Sequence, residues 1–174
     1  MANNQKDISM RNYLFLTSIF ILFSINSVGQ NQKQQANYIY NIIKYVAWPE
    51  SYKTGDFVIG VLGTSKITEE LRKLATTKKV FSQKITVVEF KSTQEITKCH
   101  VLFITELNSG LIKLAMAKIA GNATLVIGES DGLATMGAGI NFLKQDGDLR
   151  FQINEISIRK RGLQVDSKLV NLSL

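Results

Sequence analysis

Three short, nearly unbroken apolar runs constrain this chain more than anything else in it. Residues 57–62 (FVIGVL), 100–104 (HVLFI) and 123–127 (ATLVI) would present apolar side chains on both faces of any strand they form. Such a strand is stable only when both faces are covered, as in a parallel sheet sandwiched between helices. The intervening segments supply the cover. Residues 66–76 place Ile67, Leu71 and Leu74 on one helical face, and residues 109–120 read as a helix apolar around most of its circumference. Gly121 is placed to stop that helix. Residues 84–90, rich in Ile, Thr and Val, add a further strand. Strand, helix, strand, strand, helix, strand is the α/β class, with a mixed, mostly parallel sheet and flanking helices.

The last third changes character. Residues 139–144 and 148–154 alternate around Asp146-Gly147, a pair suited to a two-residue loop in which both residues take positive φ. The turn sets Gln145 opposite Asp148, Phe142 opposite Phe151 and Ile140 opposite Ile153. The apolar residues then share one face, with Asn141, Arg150 and Gln152 on the other. A helical turn over residues 155–161 should end at Gly162, and Asp166 should cap a final helix that buries Leu169, Val170 and Leu172.

At the other end, Ala36, Ile39, Tyr40, Ile43, Val46 and Ala47 recur at helical spacing, so a helix is expected over residues 32–47. Trp48-Pro49 would end it, and its opening residues 30–33 would fray. Before it, Lys6 and Arg11 precede the uncharged run of residues 13–25, and Ser27 and Gly29 put small residues before a cut. That is the pattern of an export signal, too short for a comfortable membrane span. The expected organisation is a signal peptide over residues 1–29 and one domain over residues 30–174, exported and periplasmic.

Removing the signal takes the net charge from +7 to +6, since two cations and one anion leave with it. The remaining lysines are scattered, with no basic stripe interleaved with aromatics, so nucleic acid is not an expected partner. Cys99 is the single cysteine, so stability must come from packing rather than an internal disulfide. His100 is the single histidine and neighbours it. On a strand the two point to opposite faces, so they form neither a catalytic pair nor a joint metal site. No catalytic residues, metal or cofactor are expected. Gly60 and Gly63 flank a strand end, but the third glycine of a dinucleotide loop and a following Gly-Lys are missing. A tight turn accounts for them.

Two groups of residues are candidates for binding. Tyr38, Tyr40, Tyr45, Trp48 and Tyr52 gather at the end of the first helix. They serve either to clamp it onto the sheet, the reading we favour, or to anchor a protein partner through Tyr45, Trp48, Pro49 and Tyr52. The strand ends near Gly63, Gly128 and Asp131, with Arg150 of the hairpin, are where an open α/β sheet would hold a small ligand.

Six stretches together resemble the YfiR/HmsC-like family of periplasmic regulators. They are residues 38–50, which run into Trp48-Pro49, and residues 57–63, 99–104, 124–128, 149–154 and 162–169, in order and at family-like spacing. The resemblance implies a single compact Rossmann-like domain without a catalytic site. It also implies repression of an inner-membrane signalling protein, typically a diguanylate cyclase, by binding its periplasmic sensor domain. Release would raise cyclic-di-GMP and promote biofilm formation. A sensor kinase is an equal candidate partner, a homodimer a candidate assembly, and a periplasmic small-molecule-binding module the alternative function. Better-known members carry further cysteines whose disulfides couple activity to envelope redox state. With Cys99 alone, only intermolecular pairing is left, and that requires an exposed thiol.

Overall fold

The computed structural model describes residues 26–174; the charged start and apolar run of the expected export signal lie outside the described residues. Each apolar run is a strand. β2 (Phe57–Leu62), β5 (Val101–Ile104) and β6 (Leu125–Gly128) lie side by side and parallel. β4 (Gln83–Phe90) runs parallel to β2 on its outer side and β7 (Ile140–Gln145) parallel to β6. The short β3 (Lys79–Val80) and β8 (Asp148–Ile153) close the edges in antiparallel pairing, giving the order β3-β4-β2-β5-β6-β7-β8.

The alternation of a strand sorts its side chains into two cores. Phe57, Ile59, Val61, Val101, Phe103, Leu125 and Ile127 face α1 (Asn26–Ile43) and α2 (Ile67–Thr77). Leu62, Leu102, Ile104 and Val126 face the opposite layer, which is built from the 3-10 turn Glu106–Leu111 and α3 (Ile112–Lys118). Burying each such side chain stabilises the fold by about 1.5–3 kcal/mol relative to leaving it in water. The hairpin has the expected register throughout, and Asp146 and Gly147 both take positive φ, at 53° and 86°. Gly121 and Gly162 likewise stand at helix ends with positive φ. α4 (Glu155–Lys160) and α5 (Ser167–Val170) follow, the latter capped by Asp166, which accepts from the Lys168 N–H.

Four expectations change. The first helix spans Asn26–Ile43, not residues 32–47, and residues 30–33 lie inside it. Val46 and Ala47 instead form β1 (Val46–Ala47), which pairs antiparallel with β9 (Gln164–Val165). The chain can leave the helix before Trp48-Pro49 because that distant strand satisfies its backbone groups. The third helix begins as 3-10 and is α-helical only from Ile112. Asn141 is fully buried, held by donating to the Ser130 carbonyl (2.9 Å). Leu172 lies beyond α5 and is 69% exposed.

Candidate functional site

The parallel strands run in one direction, so the molecule has an amino-end and a carboxyl-end face, and each holds a cavity. At the amino end, Pro49 stops helical geometry and a 3-10 turn, Glu50–Tyr52, carries the chain across the starts of β2 and β5. The aromatic residues of this segment turn inward. Trp48 and Tyr52 are buried. Trp48 packs edge-on to Phe57 (5.1 Å between ring centres), and His100 stacks on the other side of the cluster against Phe57 (4.3 Å) and meets Tyr52 edge-on (5.3 Å).

His100 ties the segment down. Its Nδ1 accepts the Val58 N–H (3.0 Å), which assigns the proton to Nε2, and Nε2 donates to the Tyr52 carbonyl (2.8 Å). The Tyr52 hydroxyl in turn accepts from the Ala123 N–H (3.0 Å). Burial pulls the His100 pKa below its ordinary value, and Lys98 nearby acts in the same direction, against the raising effect of the Tyr52 carbonyl. The imidazole is therefore a neutral, packed group. Cys99, on the opposite face, is buried, and burial pushes its thiol up to about 12. A thiol that is both buried and protonated is inert, so the intermolecular pairing left open by the sequence is not available to it.

Of the four candidate partner anchors, Trp48 and Tyr52 are thus packed within the core, as the favoured clamp reading has them. The Tyr52 ring is closed off from a second protein, and Trp48 shows only an edge, in the wall of the neighbouring cavity. Pro49 is half-buried and Tyr45 is exposed. What lies beside them is a mostly apolar cavity of ≈ 500 Å³, with Tyr45, Trp48 and Phe81 in its wall and Lys44 and Lys53 among its charged residues. Phe81 was not singled out by the sequence. It sits in the turn between β3 and β4, is 68% exposed, and holds φ at +51°, a conformation that disfavours a bulky side chain. An apolar residue placed where a turn would normally carry Gly or Asn was the one available signal. The Trp48 indole N–H is buried without an acceptor.

At the carboxyl end, the parallel strands are ordered second-first-third-fourth-fifth, which places the crossover reversal between β2 and β5. That crevice is filled. Gly63 has φ +96°, and a Cβ there would collide with the side chains of Asn108 and Thr105, which are hydrogen-bonded to each other (2.9 Å). Gly128 is filled in the same way by Leu133 and Asn141. Arg150 lies on the edge strand, exposed and 3.9 Å from Asp148. Of the four residues expected to form a ligand pocket, only Asp131 lines the cavity found at this end.

That cavity, ≈ 850 Å³, lies between α1 and the ends of β6 and β7. Glu129 is its central group. Its two carboxylate oxygens accept from the Glu106 N–H (3.0 Å) and from Gln35 Nε2 (2.9 Å). Burial raises its pKa above the usual carboxylate value, and these two hydrogen bonds only partly offset that. Glu129 directly follows an apolar strand, a position that sequence reasoning could have flagged. Gln35, on a helix turn far away in sequence, gave no such signal. Among the described residues, no group of three His, Cys, Asp or Glu side chains could hold a metal ion, and no helix is long and apolar enough to cross a membrane.

The family model described as YfiR/HmsC-like matches residues 32–173, from the buried part of α1 to the last turn. No curated protein matches the chain.

Proposed function

Since this chain belongs to the YfiR/HmsC-like family, we propose that it is a periplasmic, non-enzymatic regulator of cyclic-di-GMP signalling. In this reading it binds and represses the periplasmic sensor domain of an inner-membrane diguanylate cyclase or sensor kinase, and its release favours biofilm formation. Residues 1–29 serve as the export signal that brings it to that compartment.

The observation that carries the docking face is the amino-end cavity with its exposed Phe81 and Tyr45. An exposed aromatic in an unfavourable backbone conformation adds nothing to the stability of the isolated domain. It makes sense as a contact residue, since aromatic side chains dominate protein interfaces. The unpartnered Trp48 N–H and the nearby Lys44 and Lys53 fit a partner segment that brings an apolar side chain together with a carbonyl or carboxylate acceptor.

The test is co-purification from solubilised membranes, followed by titration of the captured sensor domain. An inner-membrane cyclase or kinase should be recovered, and Phe81→Asp should weaken the complex by at least about tenfold. Recovery of no such protein would overturn the regulatory reading. Recovery undiminished by Phe81→Asp and Tyr45→Ala would move the docking face elsewhere.

A further inference from the structure

The carboxyl-end cavity has a chemical bias that partner binding at the other end of the sheet does not explain. The buried side-chain atoms of its wall that lack a partner are all oxygens. Gln35 is only 4% exposed, yet its Oε1 has no partner, because its Nε2 is committed to Glu129 and a carboxylate can only accept. Gln32 Oε1 and Ser130 Oγ, in the same wall, are also buried and unpartnered. Behind them Asn141 fixes the Ser130 carbonyl and leaves its own Oδ1 without a partner. Buried polar atoms are nearly always paired in native proteins, so several together mark a place where something else completes them.

The charge points the same way. Glu106, Glu129 and Asp131 line this cavity against one cation, Lys144, in a chain whose net charge is +7. A partly buried carboxylate with vacant acceptors around it calls for a positive group that donates hydrogen bonds. A bare metal ion does not fit: the space is far larger than an ion needs, and no three acidic, His or Cys ligands converge among the described residues.

We propose that the cavity between α1 and the carboxyl ends of β6 and β7 binds a small organic molecule bearing a primary ammonium group. Glu129 supplies the counter-charge, and the oxygens of Gln35, Gln32 and Ser130 accept the ammonium N–H bonds. The site joins the first helix to the sheet, so its occupant would bridge two layers of the fold. It does not depend on the identity of the signalling partner.

The test is isothermal titration of the purified full chain at low ionic strength with 1,4-diaminobutane, alongside tetramethylammonium, glucose and calcium chloride. Saturable binding of 1,4-diaminobutane is expected, with none of the other three competing. Glu129→Gln should weaken it by at least about tenfold, the usual scale for a charge-assisted hydrogen bond. This variant retains the carboxamide oxygen that the Glu106 N–H needs. If circular dichroism shows it misfolded, Ser130→Ala takes its place, with a loss of about threefold expected for one neutral hydrogen bond. No binding of 1,4-diaminobutane, binding unchanged in the folded variants, equal binding of tetramethylammonium, or displacement by calcium would each overturn the proposal.

Discussion

The two ends of one sheet are built on opposite principles. At the amino end, most buried polar groups are matched to one another across long stretches of sequence, the Trp48 indole N–H excepted. His100 uses both ring nitrogens, on Val58 and Tyr52, and the Tyr52 hydroxyl reaches Ala123. Gln83 Nε2 also donates to the Tyr52 carbonyl (3.1 Å). The exposed residues there include two aromatics, Tyr45 and Phe81, beside the charged Lys44 and Lys53. In the carboxyl-end cavity the space beside Gly128 is filled by Leu133, and the buried atoms of the wall left without partners are polar. A protein that closes its polar network and leaves aromatics outside is suited to another protein surface. A cavity that leaves oxygens unpaired is suited to a small, hydrogen-bonding molecule. The contrast teaches that the two ends of one sheet can differ in chemistry, as the two proposed sites require, because a packed core separates them.

The comparison can be broken most directly at Trp48. If its ring is a core element, Trp48→Ala should lower the unfolding free energy by about 3–5 kcal/mol in urea denaturation. A loss below about 1 kcal/mol would mean that the ring is not packed as described and would return it to the list of surface anchors.

His100 offers the next largest effect. His100→Ala removes a donor and an acceptor and leaves the Val58 N–H without its acceptor and the Tyr52 carbonyl with Gln83 alone, for about 1–3 kcal/mol. The same residue sets a pH dependence. Its folded-state pKa is lowered, so the unfolded chain takes up the proton first. Stability contributed by neutral His100 is therefore fully present above the unfolded value of about 6.5 and is lost as pH falls below it. The melting temperature of the native chain should drop between pH 7 and pH 5, and the His100→Ala chain should lack that part of the drop. Parallel curves for the two chains would show that folding does not lower the His100 pKa.

Phe81 gives the smallest change and the sharpest contrast. Phe81→Gly relieves a positive φ and should raise stability by up to about 1 kcal/mol while weakening the complex with the signalling partner. Stability and binding moving in the same direction would make Phe81 a structural residue and erase the difference drawn between the two ends.

Several elements were legible because their information is local. The hairpin register follows from Asp146-Gly147 and the alternation around it, since the turn geometry and the pleat leave one consistent pairing. β2 was read over its whole span because an apolar run of that length has one common use in an α/β domain. The YfiR/HmsC-like family was legible from six ordered stretches and agrees with the matched residues 32–173. The sites were far less legible. Trp48 and Tyr52 read as clamp, with anchor as the other possibility, because burial is a property of the partners that fold over a ring rather than of the ring itself. Gly63 and Gly128 mark strand ends correctly, but Asn108 and Leu133 fill the space beside them.

By itself the sequence determined the six longer strands of the main sheet, where helices stop at glycine, and how residues 140–153 pair, because these depend on neighbours a few positions apart. Only the tertiary structure decided the rest. Val46 and Ala47 leave the helix because Val165 and Gln164 arrive from the far end of the chain to pair with them. Phe81 is outside because the edge turn that carries it has nothing packed over it. Gln35 and Glu129 meet because a helix from the start of the domain lies across the end of β6. Backbone preferences act over a few residues, whereas burial and hydrogen-bond satisfaction are settled by whichever distant groups the topology brings into contact.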